Sequence, residues 1–169
     1  MRILGIDPGL QKMGWGIIES DGHRLSFIAC GLVKTTASKT LPERLAQIDS
    51  ALYDVLKRFS PQQAAIEETF VNNNAASSLK LGAARGVAMV VPARVGLIVG
   101  EYPANLVKKS VVGAGKASKD QVGMMIRTLL PACGEISEDE ADALAVAICH
   151  AHHASSKQKF GGIMAGAAR

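Results

Sequence analysis

"RILGIDPGLQKMGWGIIESDGHRLSFIACGLVKT", residues 2–35, contains three apolar runs, at 2–7, 15–20 and 25–35. A Pro-Gly pair separates the first two runs, and an Asp-Gly pair separates the second from the third. Short apolar runs bounded by such pairs are typical of strands joined by tight turns. The sequence therefore predicts three successive antiparallel strands at the start of the fold.

After these strands the pattern alternates between helical and extended segments. Helices are predicted at 41–59, 75–91, 103–111, 118–130 and 137–153, and strands at 64–68 and 95–102. This order predicts an α/β fold: a mixed five-stranded sheet, with three antiparallel strands followed by parallel strands, and helices on both faces. We expect a single domain over 1–153 and a disordered C-terminal tail over 154–169, which is rich in Gly, Ala and Ser.

Composition limits the classes of function. The chain has 169 residues and a net charge of +4, which permits a polyanionic partner without requiring one. Its apolar stretches are interrupted before about 18 residues, and the N-terminus leads directly into a strand, so neither a membrane span nor a signal peptide is expected. Three cysteines without a Cys-x-x-Cys spacing indicate reduced thiols. The expected location is cytoplasmic.

The segment "EISEDEADALAVAICHAHH", residues 135–153, places four carboxylates where a largely apolar helix begins. Like charges about 4 Å apart repel by roughly 4 kcal/mol at an effective dielectric of about 20. Asp7 and Glu67 stand at the ends of predicted strands, where ligands of such sheets collect. Convergence of these acids on Mg²⁺ or Mn²⁺ would offset the repulsion. The alternative is that the cluster only complements the helix dipole.

The acidic cluster can be divided by position. Ser137 and Glu140 have the spacing of a capping box, which gives Glu140 a structural role. Asp139 and Asp142 are three residues apart and share one helix face. Helical angle alone does not exclude Glu138 from that face, so its role stays open.

Five ordered blocks carry a family resemblance: "GIDPGLQKMGWG", "AIEETF", "SLKLGAARGVA", "VKKSVVGAGKASKDQV" and "DEADALAVAICHAH". In order and spacing they resemble the bacterial Holliday-junction resolvases of the RuvC family, over residues 1 to about 153. The resemblance implies a ribonuclease H-like fold, a homodimer, and Mg²⁺-dependent symmetric nicking of four-way DNA junctions in recombination and repair. It also implies products with 5′-phosphate and 3′-hydroxyl ends, and a branch-migration complex of a junction-binding protein and a hexameric helicase as partners.

The same resemblance implies the site residues. Its catalytic, metal-binding acids fall on Asp7, Glu67, Asp139 and Asp142. These would hold two Mg²⁺ ions when DNA is engaged, with Mn²⁺ as a substitute, and Asp7 would bridge them. Strand alternation sends Glu68 to the face opposite Glu67. The small-residue helix beginning at Ala75 is a plausible dimer interface.

DNA-binding residues are expected around this centre. Phe70 matches a family aromatic that stacks on bases, although a core Phe that anchors the loop is the alternative. Lys108 and Lys119 match basic residues near the scissile phosphate. Weaker candidates, whose simpler explanation is a solvated surface, are Lys109, Lys116, Asn73, Asn74 and Lys80.

Other functions fit the sequence less well. An Asp-x-Gly turn after the first strand also begins the sugar-kinase and actin ATPases, but those need two such domains, and "GAGKAS" lacks the Walker pattern, so no nucleotide partner is expected. A catalytically silent junction-binding module is disfavoured because all four acids are present. The histidines of "CHAHH" are expected to complement a helix C-terminus rather than to bind zinc.

Overall fold

The architecture is taken from a computed structural model of the chain. The structure describes residues 1–22, 24–68 and 74–166, with residues 154–166 described through their backbone alone. In that described part, no helix is both long and apolar enough to cross a membrane.

The centre of the fold is a mixed sheet of five strands. The strands are β1 (Arg2–Asp7), β2 (Lys12–Ser20), β3 (Leu25–Lys34), β4 (Gln63–Glu68) and β5 (Ile98–Pro103). Their spatial order is β3-β2-β1-β4-β5. β1, β2 and β3 pair antiparallel, whereas β4 pairs parallel to both β1 and β5. The predicted mixed sheet is therefore confirmed.

Five α-helices and one 3-10 turn are seen in the described residues. They are α1 (Leu41–Phe59), α2 (Ala75–Arg94), α3 (Ala104–Val112), α4 (Lys119–Leu129), the 3-10 turn Pro131–Cys133, and α5 (Glu138–Gly166). The first helix has the predicted bounds, and its apolar side is buried through Ile48, Leu52, Val55 and Leu56.

Two hydrophobic cores lie on opposite faces of the sheet. Successive strand residues point to opposite faces. In β1, Leu4 and Ile6 enter the core shared with α1 and α2, whereas Ile3 enters the core shared with α3, α4 and α5. In β4, Ile66 joins the first of these cores and Ala65 joins the second. The expectation of helices on both faces is confirmed.

Apart from the end of α5, three element ends differ from the prediction by more than one residue. β2 begins at Lys12 rather than at residue 15, because its pairing with β3 continues as far as Lys12 opposite Lys34. α2 continues to Arg94, past Pro92. β5 begins at Ile98 rather than at residue 95, because Gly96, at φ +87°, turns the chain after α2.

The last helix is longer than expected. α5 extends to Gly166, so the backbone over 154–166 is helical, although the sequence predicts a disordered tail there. This stretch contains no proline, and its Ala, Lys and Gln residues are good helix formers. The domain boundary at residue 153 stays a prediction.

The extension of α5 corrects the explanation given for the histidines. His150 and His153 lie inside the helix and not at its C-terminus, so they do not complement its terminal dipole. His150 is buried, with Nδ1 3.0 Å from the Tyr102 hydroxyl and Nε2 2.7 Å from Oε1 of Gln63. Tyr102 also stacks on the His153 ring.

Candidate active site

Glycines in β1 and β2 allow α5 to lie directly against the sheet. A Cβ atom built on Gly14 would stand 2.0 Å from the carbonyl oxygen of Asp139, and one on Gly5 would stand 2.1 Å from that of Ala143. Both distances are far below van der Waals contact, so no larger side chain fits without displacing the helix backbone. The glycines thus hold the first turns of α5, including Asp139, close to β1.

Two acids reach the same place from the sheet. Ile6 pairs with Ile66 in the parallel β1–β4 ladder, so the residues that follow them, Asp7 and Glu67, stand beside each other at the C-terminal edge. Both fall on the α5 face by strand alternation, because Ile3 and Ala65, an even number of residues earlier, lie in the α5 core. Glu68 points to the opposite face, as the sequence predicts.

A capping box fixes the start of α5. The Ser137 backbone N–H donates to Oε2 of Glu140 at 2.8 Å, and the Ser137 hydroxyl donates to the same oxygen at 2.6 Å. The Glu140 N–H donates to the Ser137 hydroxyl oxygen at 3.4 Å. The predicted structural role of Glu140 is confirmed, and its carboxylate also accepts from the Cys30 thiol at 3.6 Å.

The acids are close enough to change one another's protonation. Burial, followed by the charges of Asp142, Glu67 and Asp139, raises the pKa of Asp7 to about 8. Burial and the charge of Asp142 raise the pKa of Glu67. Burial also raises the pKa of Asp142, although the positive charge of Lys119 opposes the shift. The four carboxylates therefore form one electrostatic centre.

This centre suits a divalent cation in its chemistry. It offers only carboxylate oxygens, which are the ligands that Mg²⁺ and Mn²⁺ prefer. A cation between the acids would reverse the repulsion that raises the pKa of Asp7. Among the described residues, no group of three or more Asp, Glu, His or Cys side chains has the arrangement of a metal site.

Two predicted lysines border the acids. The charge of Lys108 opposes the raised pKa values of Glu67 and Asp142, and the charge of Lys119 opposes the raised pKa of Asp7. Lys119 is exposed at the start of α4, and its Nζ lies 2.8 Å from Oε2 of Glu138. Glu138, unassigned from the sequence, is therefore the ion-pair partner of Lys119.

The weaker DNA-binding candidates are spread around the centre. Lys109 and Lys116 are exposed on α3 and on the loop after it. Lys80 lines a cleft that ends at Asp139. The Asn74 side chain accepts from the Ser77 N–H at 3.1 Å, so it caps α2. Asn73 lies outside the described residues, as does Phe70, the aromatic expected to stack on bases.

Gly5 and Gly14 are the functional residues that the sequence reasoning missed. They make no chemical contribution, yet they set how near Asp139 comes to Asp7. A signal was present, because glycine inside a strand often marks a close approach of another backbone. In β2 it recurs at residues 14 and 16, on one face of the strand.

Sequence comparison gives a consistent family match. The family model described as "Crossover junction endodeoxyribonuclease RuvC" matches residues 3–150. A protein of that name from Paramagnetospirillum magneticum is 59% identical over 160 residues, covering 95% of this chain and 96% of the relative. Another from Rhodopseudomonas palustris is 60% identical over 153 residues, covering 90% of this chain and 88% of the relative.

Solved structures agree in fold. The T. thermophilus RuvC structure "in complex with Holliday junction substrate" has a TM-score of 0.86 and 32% identity, covering 92% of this chain and 96% of that one. The yeast mitochondrial Holliday junction resolvase Ydc2 has a TM-score of 0.66 at 14% identity, covering 92% and 80% of the two chains, which is similarity of fold alone.

Proposed function

The chain belongs to the crossover junction endodeoxyribonuclease RuvC family, and from this membership we propose that its four coupled carboxylates are the centre that nicks Holliday junctions. The chain is a nuclease of the ribonuclease H-like resolvase fold that resolves such junctions and depends on a divalent metal. The observation that carries the site assignment is the convergence of Asp7 and Glu67, at neighbouring strand ends, with the first turns of α5, and the raised pKa of Asp7 agrees with it.

The proposed metal ligands are Asp7 and Glu67 from the sheet edge and Asp139 and Asp142 from the mouth of α5. We assign Mg²⁺, at two ions per site when DNA is engaged, with Mn²⁺ able to replace it. Bound divalent cations lower the pKa of water and neutralise charge that develops on a phosphodiester. The carboxylates of this chain would hold the cations in position. The glycines under α5 keep Asp139 and Asp142, from the helix, close to Asp7 and Glu67, from the sheet. The proposed products carry 5′-phosphate and 3′-hydroxyl ends.

DNA contacts are proposed around the acids. Lys119 is held beside the centre by Glu138, and Lys108 acts on the acids from α3, so both can approach a phosphate bound at the carboxylates. Lys109 and Lys116 extend the basic surface. Phe70 is proposed to stack on a base near the exchange point, and Asn73 to contact the same strand.

A homodimer is proposed because a four-way junction has two strands to nick symmetrically. The surface of α2 supports this assembly. Leu79 is 77% exposed and Val90 is 58% exposed, and a Cβ placed on Gly82 or Gly86 would meet nothing within 4 Å. An apolar stripe interrupted by glycines suits close contact with a second copy of the helix. The edge strand β5 also exposes an apolar side chain, Ile98, which is 69% exposed.

The cellular setting is proposed from the family. Junctions reach the enzyme through a branch-migration complex, in which a junction-binding protein and a hexameric helicase move the crossover. The proposed location is the cytoplasm, where a bacterial chromosome is accessible.

The deciding experiment is incubation of the protein with a synthetic mobile four-way junction and Mg²⁺, with the nicks mapped on sequencing gels. We expect paired, symmetric nicks across the junction and none on a linear duplex of the same sequence. Asp7→Asn should abolish nicking while binding to the junction in a gel-shift assay survives. Asp54→Asn, an exposed acid on α1, is the matched control and should nick normally. Uncut junctions that are still bound by the wild-type protein would refute the assignment.

A further inference from the structure

A cleft of about 820 Å³ begins at the mouth of α5 and extends to the turn between β1 and β2. Asp139 and Glu138 line its end beside the acidic centre, and neither Lys108 nor Lys119 borders it. Its other walls are the turn between β1 and β2, the start of α1 and the first turns of α2. The cleft is therefore a continuation of the active site in a direction that Lys108 and Lys119 do not cover.

Three cations line this cleft: Lys12 from β2, Arg44 from α1 and Lys80 from α2. Lys12 and Lys80 are exposed, and Arg44 is half-buried. Within residues 1–22, 24–68 and 74–153, the salt bridges involve other cations and none of these three. The three cations come from separate elements and take no part in those salt bridges. Their combined charge therefore makes the cleft favourable for binding an anion.

The Arg44 guanidinium is held in place by hydrogen bonds, unlike the side chain of a solvated surface cation. Its Nε donates to the Thr35 hydroxyl oxygen at 2.9 Å, and its Nη2 donates to the Leu10 carbonyl oxygen at 3.3 Å. Thr35 donates to the same carbonyl at 2.6 Å. A guanidinium has five N–H donors, so three stay available for a ligand in the cleft. The same hydrogen bonds brace the turn that connects Asp7 to Lys12.

We propose that this cleft binds a backbone phosphate of the nicked DNA strand, beside the scissile phosphate, through Arg44, Lys12 and Lys80. The inference rests on the proposed function, because the acidic centre defines where the scissile phosphate lies. A strand that crosses the carboxylates must continue on both sides of them. Lys119 and Lys108 neutralise one side, and the cleft neutralises the other. A planar, anchored guanidinium is suited to bidentate contact with phosphate.

The first test measures how salt weakens junction binding. Binding of a fluorescent synthetic junction is followed by anisotropy in the Asp7→Asn chain, so that no strand is cut. The slope of log K against log salt should become shallower by about 0.9 for each phosphate that the protein no longer neutralises, both in Lys12→Gln/Lys80→Gln and in Arg44→Gln. Arg44→Lys keeps the charge and should retain more of the slope than Arg44→Gln. Thermal unfolding checks that the turn is intact in each variant.

The matched control is Lys57→Gln. Lys57 is an exposed lysine on the same helix as Arg44, 13 residues further on, which is about 20 Å along an α-helix. It should leave the slope unchanged. An equal change of slope in Lys57→Gln and in the cleft variants, or no change in either, would overturn the proposal.

A second test locates the phosphate. Single uncharged methylphosphonate linkages are placed in turn on either side of the nick. The otherwise unmodified Asp7→Asn chain should lose affinity at one linkage, whereas the Lys12→Gln/Lys80→Gln variant should be insensitive at that linkage. Equal losses in both proteins would refute the assignment. If the wild-type protein neither binds nor nicks the junction, the proposed function fails; normal nicking with unchanged slopes rejects this inference alone.

Discussion

The two faces of the β1–β2 hairpin are built from the same strands in opposite ways. Towards α1 and α2, the strands present large aliphatic side chains, among them Leu4, Met13 and Ile17, all fully buried. Towards α5, they present Gly5 and Gly14, on which even a methyl group would collide with the helix backbone. The first face is filled by large side chains, whereas on the second Ile3 and Ile18 point into the core and the glycines lie directly against the main chain of α5.

This difference shows why the chemistry is on the α5 face. Where large side chains separate sheet and helix, polar groups on the two layers stay apart, since interaxial and intersheet spacings are about 10 Å. Glycines remove that spacer and bring Asp139 over β2, beside Asp7 at the end of β1. Acids from the sheet and from the helix can then share one cation. Both faces are hydrophobic cores, and the glycines on the α5 face in addition set the geometry of the site.

Gly14→Ala tests whether nicking depends on the close approach of α5 to β2. The added methyl group would lie 2.0 Å from the Asp139 carbonyl oxygen, so α5 must shift away from β2. Displacement of catalytic groups by about 1 Å can cost on the order of 100-fold in rate. We expect Mg²⁺-dependent nicking to fall by about that factor, measured as single-turnover cleavage of a junction, with the protein still folded by circular dichroism.

Met13→Ala, one residue away on the filled face, is the matched comparison. A large-to-small core substitution of this kind costs about 2–5 kcal/mol of unfolding free energy. Nicking per folded molecule should stay close to the wild-type rate. If Met13→Ala reduces cleavage as much as Gly14→Ala does, the glycine contacts do not set the geometry of the site.

The second prediction concerns pH. Because the pKa of Asp7 is raised to about 8 in the fold, the folded protein holds this proton more tightly than the unfolded chain does. Its stabilising effect is complete below the ordinary aspartate pKa of about 3.9 and is lost as pH rises through about 8. In EDTA, the melting temperature should therefore fall from about pH 5 to about pH 9.

Asp7→Asn separates this effect from other titrations, because it removes the group without adding charge. The fall in melting temperature with pH should be shallower in this variant, and Mg²⁺ should restore stability to the wild-type protein at the alkaline end. A wild-type melting temperature with the same pH profile as that of Asp7→Asn would contradict the prediction. Glu67 and Asp142, whose pKa values are also raised, act in the same direction and leave some slope in the variant.

Sequence patterns predicted the elements well where the signal was local. Alternating apolar runs and turn pairs indicated the hairpins, and the Ser137–Glu140 spacing indicated the cap that the structure confirms. The placement of Glu67 and Glu68 on opposite faces of the sheet followed from strand periodicity. These features depend on neighbouring residues alone, so a sequence contains them directly.

Other features depend on distant parts of the chain and were not predictable in the same way. The ion pair of Glu138 joins α5 to Lys119 on α4, and the cleft cation Arg44 is fixed by Thr35 and Leu10. Nothing near Arg44 in the sequence indicates that its helix faces the active site. The helical length of α5 was underestimated because Gly, Ala and Ser composition suggests disorder.

Ser137→Ala, for which we expect a small loss of stability, tests the structural role assigned to the Ser137–Glu140 cap within the acidic cluster. Ser137→Ala removes the hydroxyl that donates to Glu140 and accepts from the Glu140 N–H, so the first turn of α5 loses its cap. Loss of an N-cap side chain costs about 1 kcal/mol, measured by urea denaturation. Because the glycine contacts still hold Asp139 against β2, nicking should fall only about twofold to threefold, far less than in Gly14→Ala.

Glu138→Gln, which breaks an exposed ion pair, should change stability less still, since such pairs contribute about 0–1 kcal/mol. A larger loss of stability in Glu138→Gln than in Ser137→Ala would reverse the roles assigned to these two neighbours.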